Sequence, residues 1–269
     1  MIKKLLTILA VLAMSGMAFV GCSKDKDDDT DNLAEKLKGK WMIADRDGQA
    51  ALTNKKSVLT FLSATEALLS TSRESYSSTG SKWSAYLECS VAIDGNKVTI
   101  TGHPNEHITI ITELNIHSIT TAEMEVTYKH IRMRDGEIVS SGDPIEMRYV
   151  KVTTDYKNAI LGKWECTGLT GIETYNDANA MLEFYQDGTY NYWRKNGEGQ
   201  WEAVTNREFQ NYFVDGTLLA TRWKNTGEDE LREWWEIASI ANGQMQWTAL
   251  RQNADGTTAQ QGMRWTKVN

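Results

Sequence analysis

His103-Pro104-Asn105-Glu106-His107 is a stretch whose residue types and spacing could build a metallopeptidase centre, an H-x-x-E-H pattern. That chemistry needs both imidazoles on one face of a helix, with the glutamate beside a metal-bound water. Pro104 sits inside the motif, and Thr99-Ile100-Thr101 and Ile108-Thr109-Ile110 flank it as strand-forming runs. The motif is therefore expected on a hairpin loop, with no metal held there. No serine nucleophile elbow, phosphate loop or CxxC is present, so neither catalysis nor a cofactor is expected. Cys89 and Cys166 fall one in each half of the chain, in phase with Trp83 and Trp164 of their own strands. They read as buried free thiols.

The aromatic residues carry more. The first half holds Trp41 and Trp83; the second holds Trp164, Trp193, Trp201, Trp223, Trp234, Trp235, Trp247 and Trp265. Trp223 is in phase with Leu219, Trp235 with Ile237 and Trp247 with Met245. A three-residue turn at Gln186–Gly188 sets Phe184 opposite Tyr190 and Leu182 opposite Tyr192. Phe184, Tyr190, Tyr192, Trp223, Trp235 and Trp247 are thus the candidate wall of a pocket for an apolar or planar molecule. The competing expectation is a barrel filled by its own side chains. Such a module would grip glycan or protein through exposed tryptophans such as Trp193 or Trp234.

Strands must position these residues. From Trp83 the odd positions run Trp83, Ala85, Leu87, Cys89, Val91 and Ile93, and the even ones are mostly polar, the period of a half-buried strand. Turns such as Asp94-Gly95, Asp135-Gly136, Asp215-Gly216 and Asn242-Gly243 punctuate the chain at hairpin spacing. Brief helices are expected only at Asp31–Lys38 and Asp155–Leu161. The chain also repeats itself. Leu37-Lys38-Gly39-Lys40-Trp41 returns as Ile160-Leu161-Gly162-Lys163-Trp164, and Met147-Arg148-Tyr149-Val150-Lys151-Val152 as Met263-Arg264-Trp265-Thr266-Lys267-Val268. Lys82-Trp83 and Leu114–Ile119 also have ordered counterparts, at Gln200-Trp201 and Trp235–Ile240. Two homologous all-β domains follow, 33–152 and 153–269, each with room for about eight antiparallel strands closed as a barrel or paired as a sandwich.

A short helix, Gly-x-Trp on the first strand and a meander ending in an Arg-bearing strand resemble the lipocalin superfamily. The likeness is closest to lipocalin-like domains of bacterial surface lipoproteins. It implies two tandem up-and-down β-barrels, each preceded by a short helix. It also implies that an Arg of the last strand lies across the first-strand Trp: Arg148 on Trp41 and Arg264 on Trp164. The Thr-Asp-Tyr that lipocalins carry mid-chain occurs here as Thr154-Asp155-Tyr156, in the linker, and nothing is transferred onto it. Among uses of such barrels, inhibition of secreted proteases is a further alternative.

The N-terminus reads as an address. Met1-Ile2-Lys3-Lys4 precedes sixteen uncharged residues, Leu5 to Val20, too few to span a bilayer and apt for a cleaved signal over 1–21. Phe19-Val20-Gly21-Cys22 resembles a lipobox, which implies diacylglycerol on Cys22. Several acyl chains give stable anchoring where one is marginal. Residues 22–32 then form an acidic tether similar to lipoprotein surface-export signals, placing the protein at the outer membrane, exposed on the cell surface. Loss of Lys3 and Lys4 takes the net charge from −7 to −9, and the tether (two Lys, five Asp) carries −3 of that. The folded part, at −6, argues against nucleic acid, so the expected partners are the membrane through lipid and a small hydrophobic molecule, glycan or surface protein.

Overall fold

The computed structural model describes residues 26–71, 86–172 and 180–268. The leader 1–21, Cys22, the first residues of the tether and Trp83 lie outside the described residues. α1 (Lys26–Leu37) leads into β1 (Gly39–Arg46), which carries the two-residue β2 (Gln49–Ala50) at its tip. β3 (Ser57–Phe61), β4 (Glu66–Thr71), β5 (Leu87–Asp94) and β6 (Lys97–Asn105) follow. Then come β7 (Ile108–Ile119), β8 (Glu123–Arg134), β9 (Glu137–Ser141) and β10 (Ile145–Val152). The order β10-β1-β3-β4-β5-β6-β7-β8 is antiparallel throughout, and pairing of β8 with β10 closes it into an eight-stranded barrel. β9 is an added outer strand on β8. Inward alternation drives the closure: Leu87, Cys89 and Val91 on β5 and Ile108, Ile110, Leu114 and Ile116 on β7 meet in one core.

The second sheet contains β11 (Gly162–Thr170), β12 (Ala180–Phe184), β13 (Tyr190–Lys195), β14 (Trp201–Ala203) and β15 (Arg207–Asp215). It continues with β16 (Leu218–Asn225), β17 (Glu230–Ala241), β18 (Gln244–Gln252) and β19 (Thr258–Val268). Its order, β14-β13-β12-β11-β19-β18-β17-β16-β15, repeats the meander of the first, but this sheet is not hydrogen-bonded shut. Where β4 and β5 share four residue pairs, the backbones beside β13 and β15 meet, among the described residues, only through a bridge at Thr189 and Asn211 and a bond from Tyr212 N to Gly188 O of 2.8 Å. The cause is β14. It turns back and pairs with Trp193, Arg194 and Lys195, occupying the edge of β13 that β15 would otherwise take.

The helices differ from expectation. α1 starts at Lys26, five residues earlier than expected, so part of the acidic tether is helical. Before β11 there is no helix, only a turn closed by Ile160 N to Tyr156 O at 3.0 Å and Leu161 N to Asn158 O at 3.4 Å. Seven residues do not repay the cost of helix nucleation. The turn nonetheless repeats one detail of α1: Leu37 O accepts the Trp41 indole N–H at 2.5 Å, and Ile160 O accepts that of Trp164 at 2.6 Å.

The two floor tryptophans are buried as expected, but the cation on each ring is a lysine. Lys151 Nζ lies 4.3 Å from the Trp41 centroid and Lys267 Nζ 5.1 Å from that of Trp164, each directly across the ladder from its partner. Lys151 also donates to the Lys38 carbonyl. Arg148 faces outward instead, bonded to Asp45 at 2.5 Å and Glu123 at 2.7 Å. Arg264 is exposed and lies flat over Gly168, where a Cβ would come within 2.7 Å of its Nε. The inward face of β10 is Met147 and Tyr149. Val152, apolar yet on the face that Arg148 shares, packs with Met42, Val58 and Leu218 between the two sheets. That second apolar surface is what makes the strand's parity misleading.

The contact between sheets also has a polar centre. Asp215, at the tip of the β15–β16 hairpin and 1% exposed, accepts from Lys40 at 2.5 Å and from Ser70. Lys40 also bonds Asp155 at 2.7 Å, Lys56 pairs with Glu236 at 2.7 Å, and Leu250 N donates to Thr53 Oγ1 at 2.8 Å. Gly216, with φ +63°, lets the hairpin tip seat against Val152, where a Cβ would approach to 2.5 Å.

Candidate functional site

The open seam of the second sheet gives onto a cavity of about 550 Å³, within the range of small-molecule sites. Tyr190, Tyr192, Trp223, Trp235 and Trp247 all line it, five of the six aromatic residues expected there. Period-two alternation and the turn at Gln186–Gly188 bring them together: Leu182 pairs with Tyr192 and Phe184 with Tyr190. Phe184 itself does not line the cavity. It is 1% exposed and packs beneath, edge-on to Tyr212 at 4.8 Å and to Trp247 at 6.3 Å. Trp247 is the centre of the floor, with Trp265 at 4.6 Å and Trp235 at 5.8 Å between ring centroids. Such tilted rings attract one another through their quadrupoles as well as by burial.

The upper wall is cationic, a feature that the phase of the aromatic residues does not signal. Arg194 from β13, Arg207 from β15, Arg232 from β17 and Arg251 from β18 all line the cavity, with Glu233 the carboxylate among its lining residues. Arg207 bridges the seam that the backbone leaves open. Its guanidinium carbon lies 4.8 Å from the Tyr192 centroid and 5.3 Å from that of Trp223, and Nη1 donates to Gln210 at 2.7 Å. Arg251 covers Trp235 at 4.8 Å and donates to the Trp234 carbonyl at 2.6 Å. Burial pulls both guanidinium pKa values below the usual arginine value, partly offset by Tyr190 and Tyr192 for Arg207 and by Glu233 for Arg251. Burial pushes the Tyr190 hydroxyl pKa upward, partly offset by Arg207, whose guanidinium donates to it.

Cys166 and Cys89 are buried free thiols, one in the core of each sheet, and Cys166 also reaches the cavity wall. Burial pushes the Cys89 thiol up to about 11 and raises that of Cys166, so neither is a thiolate nucleophile at neutral pH. His103 and His107 stand at the β6–β7 hairpin. Thr109 lies 3.1 Å from His103 Nδ1 and Asp135 lies 2.8 Å from His107 Nδ1, the strand setting expected for that motif. Trp193 and Trp234 are half-buried with enclosed indole nitrogens, Trp193 under Lys163 at 4.5 Å and Trp234 against Phe213 and Ala220 on the outer face. The first barrel has a smaller cavity of about 280 Å³, bordered by Tyr128, Tyr149, Arg46 and Lys55. In comparisons with known proteins, no family and no curated protein matches the chain.

Proposed function

We propose that the protein is a lipid-anchored surface protein that binds a small, mainly apolar or planar molecule in its second barrel, without catalysis. The observation that carries this is the 550 Å³ cavity with Trp235 and Trp247 as its floor, open through the β13–β15 seam. A cavity of this size, with an aromatic floor and polar groups on its upper wall to orient a ligand, suits burial-driven binding. The lipocalin-like reading draws support from the closed meander of the first sheet, from its repetition in the second and from a cation-capped tryptophan at each floor. The test is titration of the full chain with the neutral fluorophore phenylnaphthylamine. Saturable energy transfer from tryptophan, one probe per chain, is expected. A linear, unsaturable signal would leave the cavity without a ligand role.

The anchor is proposed from sequence alone, on the Phe19-Val20-Gly21-Cys22 ending and the uncharged run before it. In its host, Cys22→Ala should shift the protein from the carbonate-washed outer membrane to the soluble or uncleaved fraction. Retention in the washed membrane would mean that something other than lipid on Cys22 holds it there.

A further inference from the structure

The cavity's cations run against the charge of their surroundings. Residues 153–269 carry eleven Lys and Arg against sixteen Asp and Glu, yet four of the six arginines in that stretch line one cavity with a single glutamate. Arg232 is matched by Glu230 at 2.5 Å, and Arg194 donates to the Tyr192 hydroxyl at 2.9 Å. Arg207 and Arg251 are held differently. They donate to neutral oxygens, Gln210 and the Trp234 carbonyl, and among the described residues neither forms an ion pair. Arg207 Nε is buried with no acceptor in the protein. Aromatic faces support both cations: Tyr192 and Trp223 for Arg207, and Trp235 for Arg251.

A guanidinium withdrawn from water without an ion-pair contact is costly, with Glu233 offsetting only part of that cost at Arg251, and a planar fork of donors matches a carboxylate, sulfonate or phosphate edge. Stacking on aromatic rings fixes the plane of each fork before any ligand arrives, so little side-chain entropy remains to be lost on binding. Electrostatics alone would favour a cation at Glu233, but that carboxylate accepts the Trp235 indole N–H at 3.2 Å and is outnumbered on the same wall. Resting on the proposed ligand role of this cavity, we infer that its ligand is an amphiphilic anion. An apolar body lies on Trp235 and Trp247, and one oxyanion meets the guanidinium groups of Arg207 and Arg251.

The test uses two fluorophores that differ by one group, phenylnaphthylamine and anilinonaphthalene sulfonate, titrated into the full chain. Charge-assisted hydrogen bonds contribute about a tenfold change in affinity or more. The sulfonate should therefore bind about tenfold or more tightly than its neutral counterpart. In the Arg207→Gln/Arg251→Gln double variant the sulfonate and the neutral probe should bind with equal affinity, and an unchanged far-ultraviolet spectrum and cooperative melt report an intact fold. Competition in the unaltered protein gives a second measurement: naphthoate should displace the sulfonate at about a tenth of the concentration needed of naphthalenemethanol. Equal affinities of the two fluorophores, a preference that survives the double variant, or equal competition by the acid and the alcohol would overturn the inference while leaving the cavity a ligand site. Failure of both fluorophores to bind would overturn the cavity reading and this inference with it.

Discussion

Asp215→Ala should lower the stability of the full chain by about 2–3 kcal/mol and separate the melting of the two sheets in calorimetry. Removing one partner of a buried ion pair costs about 3–5 kcal/mol, because the other charge is left behind. Here Lys40 is 27% exposed in its side chain and keeps Asp155 as a partner, so the expected cost lies below that range. The Ser70 hydroxyl, 0% exposed, adds its own penalty by losing the acceptor that Asp215 provides. Asp155→Ala is the contrast: its side chain is 43% exposed, and the change should cost under about 1 kcal/mol. A single, unshifted transition for Asp215→Ala would mean that the hairpin tip does not join the sheets energetically.

The same cluster fixes a pH window. Burial alone would lower the Lys40 pKa, but its hydrogen bonds and proximity to Asp155 and Asp215 overcome that and hold it above 10.5. A raised folded pKa means stability fully present below 10.5 and lost as pH climbs through the folded value. Asp155 is the converse. Burial would raise it, yet Lys40 and the Lys157 amide hold it below 3.8, so its share is present above 3.8 and lost as acid passes the folded value. The junction should be firmest between these limits, and strong alkali should reproduce part of the Asp215→Ala phenotype.

How far the sequence carried these conclusions depended on whether the strand period was intact. Leu87, Cys89 and Val91 alternate without interruption and face the core as expected. The Gln186–Gly188 turn set the register of Tyr190 and Tyr192, because a Gly at φ +82° permits one tight geometry. Arg194 and Arg251 were legible in the same way: Arg194 is two residues beyond Tyr192, and Arg251 is four beyond Trp247, on the same faces. Arg207 was not. A register shift between Arg207 and Phe209 breaks the alternation at that point, so parity gives the wrong face. The floor cations were missed because Val150 and Val152 suggested an inward face, whereas Val152 serves the junction between sheets, a surface that a single-domain period does not encode. Nor does any local signal foretell that β14 folds back onto β13. The open seam, and with it the larger cavity, follows from a pairing between segments whose strand propensities alone would suit either partner.

Trp235→Ala should weaken binding of phenylnaphthylamine by about thirtyfold or more, while Trp234→Ala changes it less than about threefold. The two residues are neighbours on β17, and neighbours on a strand face opposite sides of the sheet. Trp235 is 4% exposed, 5.8 Å from Trp247 and covered by Arg251, so truncation removes floor area at the centre of the cavity. Loss of a central aromatic anchor from a binding site costs about 2 kcal/mol or more, which sets the thirtyfold figure. Trp234 also borders the cavity, but its ring packs against Phe213 and Ala220, and its contribution to Arg251 is a backbone carbonyl that alanine retains. Core truncation of a tryptophan also threatens the fold, at about 3–5 kcal/mol, so Trp235→Phe belongs in the same series. It keeps an aromatic face and should fall between wild type and Trp235→Ala in affinity. The opposite order, with Trp234→Ala abolishing binding and Trp235→Ala sparing it, would move the working surface to the outside of the barrel. A glycan or protein partner would then replace the small molecule.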